Sequence, residues 1–83
     1  MISESTQSEI CDGIEQETSF KTERGESITV YDADSDAVIG IVEESDFLHP
    51  YRLKDGGNGY LGFSQADVST VDDVVEKFVD ADA

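Results

Sequence analysis

The sequence predicts a small α+β domain: an antiparallel sheet of about four or five strands, built as two hairpins, with a C-terminal amphipathic helix packed on one face. Three observations carry this. Residues 27–32 are β-branched and alternate apolar with polar at the strand period, and residues 37–43 follow as the most apolar run of the chain. The stretch KDGGNG, residues 54–59, is glycine-rich and reverses the chain between two short apolar segments. Residues 70–80 (TVDDVVEKFVD) switch to the helical period, with Val71, Val74, Val75, Phe78 and Val79 on one face. At 83 residues the chain holds one domain, and a domain of that size buries only about 60% of its unfolded surface.

Residues 1–18 form a polar N-terminal segment rich in Ser, Glu and Gln. Ile10 and Ile14, with Cys11 beside them, make one short helical stripe. Gly13 opposes that helix, and a disordered tail is the alternative. Residues 19–83 then form a single α+β domain. Residues 19–24 (SFKTER) read as an edge strand and Gly25-Glu26 as a turn. Residues 27–32 (SITVYD) are β-branched and alternating, with Ile28 and Val30 on one face and Thr29 and Tyr31 on the other. Ala33 to Asp36 supply turn residues, and residues 37–43 (AVIGIVE) close the first hairpin. Residues 50–53 (PYRL) and 60–63 (YLGF) are read as the second hairpin, with Pro50 excluding a helix there. In the C-terminal helix, Ser69 or Thr70 serves as the cap. Asp72 and Asp73 sit where the helix dipole favours negative charge.

The strand at 37–42 is apolar at both parities. Ideal alternation puts Val38 and Val42 on one side and Ile39 and Ile41 on the other. A strand of that kind is covered on both faces. The C-terminal helix covers one. The other calls for the N-terminal helix or a second copy of the chain, so a homodimer or another protein partner is expected.

Charge narrows the function classes. Twenty acidic and five basic residues leave a formal net charge of −15, with no base before Lys21. Like charges at this density oppose compaction unless salt screens them, and molar salt shortens the screening length to about 3 Å. The acids are dispersed among ordered apolar patterns. The composition resembles that of cytosolic proteins from salt-in halophilic archaea, which implies a cytoplasmic, salt-rich setting. A nucleic-acid partner is not expected, because five scattered cations make no basic patch. A membrane partner is not expected either, since no apolar run approaches 18 residues. The N-terminal MISESTQSEI has neither the cationic nor the apolar region of a signal peptide. The lone Cys11 excludes an internal disulfide and fits a reducing compartment.

Four candidate sites stand out. In DADSDAVIGIVE, residues 32–43, Asp32, Asp34, Asp36 and Glu43 occupy the first, third, fifth and twelfth places of a calcium loop. The sixth place holds Ala37, where the sharp turn wants glycine, and the flanks read as strands where a calcium loop has helices. The stretch is therefore read as a solvated hairpin turn, with a divalent-cation site at 32–43 as the alternative. DGGNGYLG is weighed as a phosphate cradle, but strand-like residues follow where a helix is required, so it too reads as a turn. Cys11 and His49 are the pair from which a nucleophilic dyad would be made. Tyr51, Tyr60 and Phe63 form either an exposed aromatic surface or core under the helix.

Residues 28–48 also resemble the strand-turn-strand segment of a CBS domain, a module that senses adenosine nucleotides. Gly40-Ile41-Val42-Glu43-Glu44-Ser45-Asp46 follows that family's Gly-apolar-apolar-Thr-x-x-Asp pattern. The resemblance implies a ribose-binding role for Asp46 and a helix after it. Glu43 departs from the pattern's Thr or Ser and brings a charge that repels phosphate, and Pro50 interrupts the helix. The expected function is a non-catalytic acidic interaction or accessory domain without cofactor or metal, with a small-ligand sensor at 28–48 as the alternative.

Overall fold

A computed structural model describes the whole chain except Phe47, Asn58, Tyr60 and Phe63. Helix α1 (Glu4–Glu17) leads into five strands, β1 (Phe20–Glu23), β2 (Ile28–Asp32), β3 (Val38–Glu44), β4 (Tyr51–Asp55) and β5 (Gln65–Val68). Helix α2 (Val71–Asp82) ends the chain. The strands form one antiparallel sheet in the order β1-β2-β3-β4-β5, each paired with its sequence neighbour. This is the expected α+β architecture, with the C-terminal helix in place.

Helix α2 starts where the cap chemistry places it. The Thr70 hydroxyl accepts from the Asp73 amide at 3.1 Å, and Asp72 and Asp73 occupy the first turn. Its apolar face delivers Val74, Val75 and Phe78 to the core. The N-terminal segment takes its helical alternative. Ser3 caps α1, and Ile10, Cys11 and Ile14 are buried. Gly13, unfavourable by propensity, has a packing reason. A Cβ at that position would stand 2.7 Å from Cγ2 of Val75, so the two helices meet too closely there for any side chain.

Both helices therefore lie side by side on the same face of the sheet. Ile10 and Ile14 of α1 and Val74 and Phe78 of α2 share one cluster with Phe20, Ile28, Val30, Val42, Leu53 and Val68 of the strands. Phe20 meets Phe78 edge-on, with ring centres 6.5 Å apart. The N-terminal helix does not cover the second face, as one sequence expectation had it.

The assignment of faces in β3 is also corrected. Val30 pairs with Gly40 but Tyr31 pairs with Val38, so Ile39 is an extra residue in a β-bulge. The bulge breaks the alternation. Ile39 and Val42 are both fully buried, while Val38 and Ile41 lie half-buried on the open face. Gly40 sits between them on the inner side. A Cβ there would stand 2.9 Å from both Leu61 Cδ1 and the Lys54 carbonyl oxygen, so the strand needs glycine where α2 and the β4–β5 connection close over it.

The second hairpin differs from expectation in its return strand. The partner of β4 is Gln65–Val68, five residues later than the predicted 60–63. The glycines explain the displacement. Gly57, Gly59 and Gly62 all take positive φ, a conformation foreign to a strand, so the chain turns across this whole stretch before β5 begins. Leu61 folds back into the core from within the turn. Tyr60 and Phe63, read as strand and core residues, lie outside the described residues.

Candidate interaction surface

The acidic loop is closed by its own bonds. The Asp32 carboxylate accepts from the Ser35 amide at 3.0 Å and the Ser35 hydroxyl at 2.8 Å. The Asp36 amide donates to the Asp32 carbonyl, the Asp32 amide donates to the Ala37 carbonyl, and Asp36 takes φ of 61°. The Ser35 hydroxyl, then the Ser35 amide, hold the Asp32 carboxyl below its ordinary value. Asp34 and Asp36 are exposed. Glu43 stands five residues along β3 from Val38, roughly 16 Å from the turn at a strand's rise, and pairs there with Lys54 Nζ at 3.0 Å. The structure thus gathers the first three acids in a hairpin turn and sends the fourth elsewhere. Among the described residues no group of three or more His, Cys, Asp or Glu is placed to hold a metal ion.

The other candidates are likewise separated. Cys11 is buried in the core, whereas His49 lies at the surface with Nδ1 2.8 Å from the Ser69 hydroxyl. The glycine-rich connection leads into β5, and among the described residues no helix opens from it. Asp46 is exposed beside a shallow depression whose other walls are Met1, Glu26, Ser27, Glu43 and Glu44, an acidic mouth. The chain then runs through bends to β4 at Tyr51, where the CBS resemblance implies a helix. Tyr51 packs half-buried against the core. Another open depression lies between α1 and the β1–β2 turn, and several of its polar groups are already engaged. Gln7 donates to the carbonyls of Ile2 and Gly25, and Arg24 donates to Ser8.

What remains is the sheet face that no helix covers. Cross-strand pairing puts Lys21, Tyr31 and Val38 in one row, then Glu23, Thr29, Ile41, Lys54 and Gln65, then Glu43, Arg52 and Asp67. Thr29, Tyr31, Val38 and Ile41 form a half-buried, largely apolar middle. The flanking charges are paired within the face, Glu43 with Lys54 at 3.0 Å and Arg52 with Asp67 at 3.1 Å. Of the 20 acidic and 5 basic side chains, three of each lie here, so the face sums to zero. The remaining 17 acids and two cations put the entire −15 on the rest of the molecule.

Sequence reasoning anticipated an apolar second side to β3 but not its neutrality. The signal was present: Lys21, Arg52 and Lys54 all fall at strand positions that alternate with buried ones. Comparison with protein-family models, with curated proteins and with solved structures finds no match.

Proposed function

We propose that the chain is a non-catalytic interaction or accessory domain of a salt-rich cytosol, acting through its open sheet face. The observation that carries this reading is the charge partition. One face is neutral, with an apolar middle, on a molecule whose remaining surface repels almost any anionic partner. The acid-rich remainder supports a salt-rich setting, because only concentrated counterions relieve its self-repulsion. Neutrality of the open face also speaks against nucleic acid, since its three cations have acids beside them on the same face.

The reading separates from a sensor in one set of amide spectra, recorded in molar KCl across protein concentration and then with calcium and adenosine nucleotides. An interaction domain gives no saturable response to either ligand, and Thr29, Tyr31 and Ile41 are the amides that a bound protein, a second copy included, shifts. Saturable shifts over Asp32 to Asp36 with calcium, or around Asp46 with nucleotide, would replace this proposal with the sensor.

A further inference from the structure

Deepening that reading, and resting on it, we infer that the occupant of the open face is a second copy of this chain. Two copies carrying −15 each must meet where the repulsion is least. The rest of the surface carries 17 acids against two cations, so contact elsewhere sets a large excess of acids against acids. The open face sums to zero, and the pairs Glu43–Lys54 and Arg52–Asp67 already satisfy their own charges, so apposing two such faces leaves no unpaired like charges at the centre. A strongly charged foreign partner finds no complementary field there. The surface whose balance this one matches is its own.

A two-fold axis along the strand direction sets β3 over β3 of the second copy, burying Val38 and Ile41 of both between the sheets. That completes the two-sided cover that an apolar β3 demands. Strands about 4.8 Å apart and four to seven residues long give a face of roughly 20 by 15 Å, about 300 Å² per copy and about 600 Å² in all, below the size of a stable interface and in the range of weak, transient contacts. Association in the micromolar range or weaker follows, strengthened by salt.

The alternative route to a dimer is edge pairing, and the two edges differ. On β1 the Phe20 amide donates to the Thr18 hydroxyl at 3.1 Å, and the Thr22 amide donates to the Glu15 carboxylate at 3.1 Å, which closes that edge. Edge strand β5 pairs with β4 on one side only. A β5-to-β5 dimer is therefore the competing geometry, and the test must tell the two apart.

The experiment is sedimentation of the full chain across protein concentration in molar KCl, for the native sequence, Ile41→Glu and Leu48→Glu, with amide spectra confirming the fold of each. Leu48 is exposed and outside the face, so its variant controls for added charge. The expected result is a dimer weakened at least tenfold by Ile41→Glu and unchanged by Leu48→Glu. A folded native chain that stays monomeric at every concentration overturns the inference. So does a dimer indifferent to Ile41→Glu whose Gln65 and Asp67 amides gain protection. Calcium and adenosine nucleotides added to such a monomer separate the two failures. Silence leaves an interaction domain with a foreign partner, and a saturable response removes the interaction reading itself.

Discussion

Gly13→Ala sets two measurable effects against each other. By helix propensity alone, alanine in the middle of α1 stabilises by about 0.8–1.0 kcal/mol. The structure opposes this, because the new Cβ would lie 2.7 Å from Val75 Cγ2 and 3.6 Å from Val75 Cγ1. Val75 is β-branched and buried, so its methyl cannot rotate away without entering a disfavoured rotamer. Forcing a methyl into a packed core costs about 1–3 kcal/mol. The balance is a net loss of about 1 kcal/mol, or a fall in Tm of roughly 4–8 °C for a domain of this size. Thermal unfolding in molar KCl reads it directly. A double-mutant cycle isolates the cause. In a Val75→Ala background the clash disappears and Gly13→Ala becomes stabilising, giving a coupling of about 1–3 kcal/mol. If Gly13→Ala stabilises the native sequence outright, the helices do not meet at this seam and the placement of α1 against α2 is wrong.

Four further outcomes follow from named contacts. Phe78→Ala removes the largest fully buried side chain and its edge-on contact with Phe20; unfolding should show a loss of about 3–5 kcal/mol. Thr70→Ala deletes the α2 cap and should cost about 1 kcal/mol, whereas Thr70→Ser should cost little. The Asp32 carboxylate titrates below its ordinary value, so its contribution is fully present above the unfolded Asp pKa of about 3.9 and is lost as pH falls through the lowered folded value. Carboxyl-detected NMR titration should show that value rising in Ser35→Ala. The Cys11 thiol, 1% exposed, should react with a thiol reagent only at the rate at which the domain opens, and prompt labelling of the folded protein would contradict its burial.

How much of this was legible in the sequence varies with how local the cause is. Helix α2 was readable almost residue by residue because its period, cap and first-turn acids all act within one turn of the chain. Strands β1, β2 and β4 were readable for the same reason. The β-bulge was not. Whether Ile39 or Val38 points inward depends on pairing with Tyr31, and an apolar run of Val-Ile-Gly-Ile-Val is consistent with either register. The return strand of the second hairpin was misplaced because YLGF has strand composition. The positive φ at Gly57, Gly59 and Gly62 keeps the chain turning, and the polar stretch QADV, Gln65–Val68, pairs by position and not by propensity. Helix α1 was ambiguous because Gly13 reads as a defect until Val75 is seen opposite it.

The candidate site followed the same division. Calcium-like spacing is a one-dimensional match, and the hairpin sends its twelfth place to the far end of a strand. The neutral face is a two-dimensional property. It emerges only when Lys21, Arg52 and Lys54, separated by up to 33 positions, are brought into adjacent rows by strand pairing. In a chain this acidic, a cation is a scarce means of balancing charge, and each of these three stands on the face that no helix covers. Had they served only to lower the net charge, any exposed position would do, and the helices offer many. Their concentration opposite the apolar residues Tyr31, Val38 and Ile41 makes one surface on which desolvation is not opposed by repulsion. That is the physical requirement for a protein contact, and under the proposed reading it joins the acid-rich remainder and the two-sided β3 strand in one explanation.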